Sequence, residues 1–147
     1  MNASTARTDP VIFLPALVRS VVPMVIVWGT MVGAATFSHQ PGVVCVTPLA
    51  WLLAIWAGVQ YVFVSARAGV APSLVGVLIA GLLLGLFMAG VWLLGSNAMM
   101  GADEPASELE KARNLNIGIS IASLIICTFL ALGGGVLARY RVRRSVA

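Results

Sequence analysis

The residue types that could perform chemistry in this chain are few and lie far apart. The chain contains one histidine, His39, and two cysteines, Cys45 and Cys127. One histidine cannot supply both axial ligands of a haem, and no second nitrogen or carboxylate stands at a metal-ligand spacing. His39 lies in the motif SHQPG, which favours a turn at a membrane surface; the alternative is a single axial ligand to a chlorin. No serine or cysteine has a neighbouring base for nucleophilic catalysis.

The two cysteines are not expected to form a disulfide. Cys45 falls near one end of an apolar segment and Cys127 near the middle of another, so the depths of their side chains differ. The chain also lacks a CxxC pair for redox chemistry or zinc. Together these observations predict a protein that is not an enzyme and that holds no cofactor or metal.

The densest charge lies at the C-terminus, in GGGVLARYRVRRSVA, from Gly133 to Ala147. Such a segment suits a nucleic-acid-binding tail, a docking site for an acidic protein, or an anchor at a membrane surface. Composition favours the anchor, because 60% of the residues are hydrophobic and 10% are charged, against about 45–50% and 25% in soluble domains. A soluble fold of this length could not bury so much apolar surface. We therefore expect membrane lipids as partners and no nucleic acid.

Four apolar segments are each long enough to cross a bilayer core of about 30 Å. Lipid offers no partners to backbone polar groups, so the segments are predicted to be α-helices. The predicted fold class is an all-α integral membrane bundle of four transmembrane helices, forming one domain over 1–147. The predicted spans are 20–37, 43–65, 71–95 and 115–138, with an outer loop over 96–114 and a basic tail over 139–147.

Ser107 with Glu110 fits a capping box that starts the fourth helix before the membrane. Val11–Val18 is predicted to be an interfacial lead-in, with Pro15 or Pro23 bending the chain.

The distribution of basic residues predicts the orientation. If the chain crosses four times, seven of the nine lysines and arginines lie on one side, and only Lys111 and Arg113 lie on the other. The positive-inside rule then puts both termini in the cytoplasm and the protein in the inner (plasma) membrane. Six arginines are predicted to contact lipid headgroups: Arg19, Arg67, Arg139, Arg141, Arg143 and Arg144. Arg19 is expected to reach the cytoplasmic headgroups by snorkelling; the alternative is an anion or lipid-headgroup site.

Small residues are predicted to hold the helices together, because lipid tails are as apolar as leucine and only close backbone approach favours association. The third segment carries small residues on two opposite faces, which predicts close neighbours on both sides. The predicted packing residues are Gly29, Gly33, Gly76, Gly81, Gly85, Gly90 and Gly134. Trp28 and Trp56 lie deep in their segments, where packing or lipid contact is expected; the alternative is a pocket for a quinone, pigment or lipid.

The hairpin AGVQYVFVSARAGVAPSLVGVLIAGLLLGL, Ala57 to Leu86, and the motif LGGGVLA resemble a group of small four-span bacterial membrane proteins of unknown function. The resemblance implies the fold and no activity. No Asp, Glu, Lys or His lies in the core of a predicted span, which argues against an ion-coupled transporter. Two hypotheses remain. One is a structural or accessory subunit packing against a larger membrane complex, for example an electron-transfer or photosynthetic one; the other is a self-associating channel or carrier.

Overall fold

A computed structural model describes residues 13–37, 43–99 and 106–146 of the chain. Within these ranges the structure consists of four α-helices and contains no strand: α1 (Leu14–Phe37), α2 (Val43–Arg67), α3 (Leu74–Met99) and α4 (Ala106–Val146). Each contains a stretch long and apolar enough to cross a membrane: Leu14–Gly33, Leu49–Arg67, Leu74–Leu94 and Leu109–Val142. The predicted all-α fold with four membrane-length helices is confirmed.

The helix bounds differ from the predicted apolar spans: α1 and α4 begin earlier, α2 ends two residues later, and α3 begins at Leu74 and ends at Met99 instead of covering 71–95. α1 begins at Leu14, so it takes in most of the predicted lead-in; Pro15 falls in its first turn, where proline is tolerated, and Pro23 lies inside the helix. α4 begins at Ala106, next to the predicted start at Ser107, and continues through 139–146 of the predicted tail. The sequence contains no proline after Pro105, so nothing interrupts this 41-residue helix, which is about 60 Å long.

A glycine turn joins α2 to α3. Gly69 has a φ of +72°, the left-handed conformation that glycine adopts without a steric penalty. The Val70 amide donates to the Ser65 carbonyl at 3.0 Å, and the Gly69 amide donates to the Ala66 carbonyl at 3.0 Å. This pattern is typical of a helix C-terminus closed by glycine. It reverses the chain direction, so α3 runs back along α2.

α2 and α3 form the centre of the bundle. α4 packs against both of them on one side, and α1 packs against both on the other. Among the described residues, no Cα atom of α1 lies within 8 Å of a Cα atom of α4. The Phe13 amide bonds Tyr61 near the end of α2, and Gly135 near the end of α4 meets Val77 near the start of α3. The start of α1, the 68–73 turn and the end of α4 therefore lie at the same end of the bundle, which we call the arginine end.

Two apolar clusters fill the interior. One lies nearer the arginine end, where Tyr61, Val62, Val77 and Ala80 are fully buried together with residues of α1 and α4. The other lies farther along the bundle and unites all four helices: Met24, Trp28, Ala50, Ala54, Ala57, Leu84, Met88 and Cys127. Alanine is frequent in both clusters, so the helices approach each other closely.

Candidate functional site: glycine contacts and the arginine end

Glycines in α2 and α3 allow α4 to lie close to both helices. A methyl group at Gly81 would lie 2.7 Å from Ala131 Cβ and 3.0 Å from Thr128 Cα. A methyl group at Gly58 would overlap the Ala131 carbonyl. Ala131 thus lies between a glycine of α2 and a glycine of α3, and its backbone fills the space that larger side chains would occupy.

The same close approach continues along α4 in both directions. At Gly85, a methyl group would lie 3.0 Å from Leu124 Cα. At Gly134 it would lie 2.5 Å from the Ile55 carbonyl oxygen of α2, and at Gly135 it would lie 2.6 Å from Val77 Cγ1 of α3. Gly134 and Gly135 therefore contact different helices, because adjacent residues of a helix point about 100° apart.

Tyr61 joins three helices at the arginine end. Its hydroxyl accepts a hydrogen bond from the Phe13 amide, at the start of α1, at 3.2 Å. The ring and hydroxyl lie directly against Gly76 of α3, where any methyl group would overlap them. The tyrosine is fully buried, and only a glycine opposite leaves room for it.

The remaining predicted packing glycines are in looser surroundings. A methyl group at Gly29 would lie 3.9 Å from Phe87 Cζ, an ordinary van der Waals distance. At Gly33 and Gly90 nothing among the described residues lies within 4 Å of that position, and the same holds for Gly118 and Gly133. Of the seven predicted glycines, four face a tightly packed neighbour in this chain: Gly76, Gly81, Gly85 and Gly134. Gly135, in the glycine run that the sequence also indicates as a close-approach site, has the same role, as do Gly58 and Tyr61, which were not predicted.

Apart from Arg19, the arginines predicted to contact lipid headgroups share one end of the bundle wherever their side chains are described. Arg67 is exposed at the end of α2, Arg139 is half-buried, and Arg141 and Arg144 are exposed near the end of α4. The Arg144 guanidinium lies 4.5 Å from the centre of the Tyr140 ring, a cation–π contact. The Arg143 side chain lies outside the described part of the chain.

Arg19 lies deeper than the other arginines. It is exposed on α1, six residues after Phe13, or about 9 Å farther along the helix axis. Helical side chains tilt towards the helix N-terminus, which for α1 is the arginine end. This tilt suits the snorkelling expected from the sequence.

The interior contains hydroxyls and one thiol but little that could hold a cofactor. Ser20 donates to the Leu17 carbonyl at 2.9 Å, and the Cys127 thiol lies 3.4 Å from Met88 Sδ. The described residues contain no group of three His, Cys, Asp or Glu that could hold a metal ion. His39 and the Cys45 side chain lie outside the described residues.

The two deep tryptophans differ in their surroundings. Trp28 is buried, and its ring meets Phe87 edge-on with centroids 5.8 Å apart, whereas Trp56 is exposed on the outer surface. The Trp28 indole nitrogen finds no hydrogen-bond partner in the part of the chain that the structure describes. The two rings therefore do not face a common pocket.

Comparison of the chain with protein-family models, with curated proteins and with solved structures finds no match.

Proposed function

We propose that the protein is a non-catalytic multi-pass membrane protein that packs, as a structural or accessory subunit, against a larger membrane complex. An electron-transfer or photosynthetic assembly is one such complex. The tight packing of the interior supports this proposal, because glycine and alanine bring the helices into direct contact at Gly58, Gly81, Gly85 and Gly134. Such an interior leaves little room for a substrate between the helices.

The outer surface supports a membrane environment. Large apolar side chains project from every helix; on α4 Phe129 is 69% exposed and Leu137 is 67% exposed. Exposure of such an apolar surface to water is unfavourable in free energy, whereas lipid or another membrane protein would cover it. The shared end of the arginines supports an orientation with that end in the cytoplasm of a plasma membrane.

The observation that carries the proposal is the set of glycines with open surroundings: Gly33, Gly90, Gly118 and Gly133. Gly118 and Gly133 lie on the exposed side of α4. Within membranes, small residues favour association because they let another helix approach closely. A partner would supply the helix neighbours that these glycines do not find among the described residues.

Solubilisation of native membranes with a mild detergent tests this proposal. We expect the purified protein to carry heterologous membrane proteins, identified by native gel electrophoresis and mass spectrometry. Gly133→Leu should reduce the amount of co-purified protein because leucine would separate the partner from α4, while the thermal stability of the chain itself stays unchanged. Val136→Leu, on the same exposed side, is the matched control and should retain the partners. A pure homo-oligomer would contradict the accessory role and support the channel or carrier hypothesis.

The orientation can be measured independently by cysteine labelling. In a background with Cys45 and Cys127 replaced by serine, we expect an impermeant maleimide to label a cysteine at Ala106 in intact cells. A cysteine at Ser145 should be labelled only after the membrane is permeabilised, because the arginine end is expected to face the cytoplasm. The opposite labelling pattern would show that both termini are outside.

A further inference from the structure

Arg19 lies within the membrane-length stretch of α1 and faces away from the bundle. It is the sixth residue of the stretch Leu14–Gly33, so its Cα lies about 8 Å inside that stretch. Its side chain is exposed, as are the neighbouring side chains of Val18, Val22 and Pro23 on the same face. Charged residues in membrane helices are rare, and nearly all of them face a bundle interior or a water-filled cavity and pair with another polar group. An arginine on the outer face therefore indicates contact with something outside this bundle.

The described part of the chain supplies no carboxylate to this arginine. Glu110 is the only acidic side chain described, and it lies near the start of α4, at the opposite end of the bundle from the start of α1. Asp9, the nearest carboxylate in the sequence, lies outside the described residues. Arginine stays ionised in proteins, so its charge needs a partner from the surroundings.

Pro23 adds a second polar group to the same face, and this group cannot snorkel. Proline has no amide hydrogen, so the Arg19 carbonyl lacks the helical hydrogen bond that residue 23 would otherwise donate. The carbonyl is part of the backbone and stays at its depth, whereas the guanidinium can reach towards the headgroups. A neighbouring helix is one means by which membrane proteins satisfy such a carbonyl. Because Val22 and Pro23 are exposed, that neighbour would belong to another protein.

A glycine on this face leaves room for a second helix. Gly33 follows Arg19 by 14 residues, close to four helical turns, so the two residues point in nearly the same direction. A methyl group at Gly33 meets no described atom within 4 Å. Ile26 and Thr30, which lie between them, are both exposed. The outer face of α1 thus combines one positive charge with one position of close approach, where small residues favour helix association.

We propose that the outer face of α1, from Arg19 to Gly33, binds a membrane helix of the partner complex that carries an Asp or Glu side chain at the depth of Arg19. This inference rests on the proposed function and adds the chemistry of the partner. The planar guanidinium can donate two parallel hydrogen bonds to one carboxylate. Attraction between opposite charges is stronger in a low-dielectric environment than in water. The pair would also remove an isolated charge from lipid, which is costly to leave there.

A model membrane helix tests the pair without the native partner. The probe is a synthetic leucine–alanine transmembrane peptide with one glutamate five residues inside one end of its apolar segment. The reference peptide has leucine at that position. Binding to the full chain in phosphatidylcholine vesicles is measured by energy transfer from a dye on a cysteine introduced at Ser145, with Cys45 and Cys127 replaced by serine. We expect the glutamate peptide to bind about ten-fold more tightly, the scale of one charge-assisted hydrogen bond.

Three variants assign the effect to this arginine. Arg19→Gln should abolish the preference for the glutamate peptide and leave the thermal stability of the chain unchanged, because the side chain lies on the outer surface. Arg19→Lys keeps the charge without the planar fork, so it should retain a reduced preference. Arg67→Gln is the matched control, because it removes another exposed arginine, at the end of α2, and should retain the full preference.

Three results of the peptide assay would overturn the proposal. The wild-type protein could bind both peptides equally. Arg67→Gln could lose the preference as completely as Arg19→Gln, which would show an effect of general positive charge. The preference could arise only after Asp9→Asn, which would show that the chain supplies its own carboxylate to Arg19.

Crosslinking in native membranes separates this inference from the proposed function. One protein carries a photo-crosslinking residue in place of Val22, on the outer face of α1, and another carries it in place of Val136, on the exposed side of α4. We expect the Val22 position to crosslink a heterologous membrane helix that contains Asp or Glu, and Arg19→Gln to remove this product. A crosslinked helix without Asp or Glu, or heterologous products from Val136 alone, would overturn the inference and leave the accessory role intact. No heterologous product from either position would contradict the accessory role itself, and the inference with it.

Discussion

Replacing Gly134 with leucine should destabilise the bundle severely, whereas the same replacement at the adjacent Gly133 should leave its stability nearly unchanged. A side chain at Gly134 meets the Ile55 carbonyl, which belongs to a helix backbone and cannot rotate away. α4 would have to separate from α2, at a cost of more than about 3 kcal/mol. A side chain at Gly133 meets no described atom within 4 Å. Thermal unfolding of the detergent-purified proteins measures the difference, which should be about 10 °C or more.

Gly133→Leu and Gly134→Leu are a matched pair of variants. Each puts leucine into the same glycine run, and each raises the helix propensity of its position by the same amount. Equal unfolding temperatures for the two variants would mean that α4 does not present Gly134 to α2. Equally large losses would mean that Gly133 also faces a helix of this chain.

A single methyl group should be enough to disturb the arginine end. Gly76→Ala overlaps the buried Tyr61 ring and hydroxyl, so the ring must move and its hydrogen bond with the Phe13 amide is lost. We expect a loss of about 2 kcal/mol, typical of an overpacked core. Gly90→Ala, on the same helix, meets no described atom within 4 Å and should be neutral or stabilising by up to about 1 kcal/mol, because alanine favours helix over glycine.

A second substitution identifies the cause of the loss. In a Tyr61→Leu background the ring is absent, so adding Gly76→Ala should cost much less than it does in the wild-type protein. Chemical denaturation of the four proteins gives this coupling as a double-mutant cycle. Additive losses would show that Gly76 and Tyr61 do not meet.

The sequence predicts the helices well because their length and apolar character are local properties of the chain. It also identifies a small-residue face on α3, since Gly81 and Gly85 lie one turn apart and both meet α4. The same periodicity cannot distinguish Gly90, which faces open space, from Gly76, which faces a tyrosine, because both lie on the other small face. Tyr61 could not be predicted as a packing residue, since an aromatic residue in an apolar segment is equally compatible with contact to lipid. Its pairing with Gly76 depends on the depth at which α2 and α3 align, and the glycine turn at Gly69 sets that depth.

The position of α2 and α3 between the other two helices determines how the effects of substitutions in α1 and α4 on stability combine. Among the described residues no Cα atom of α1 lies within 8 Å of a Cα atom of α4, so the two helices pack mainly against α2 and α3. Substitutions in α1 and in α4 at positions that share no neighbour in α2 or α3 should then have additive effects on stability. The two outer helices can therefore diverge independently in evolution, one adapting to a neighbouring subunit while the other adapts to lipid.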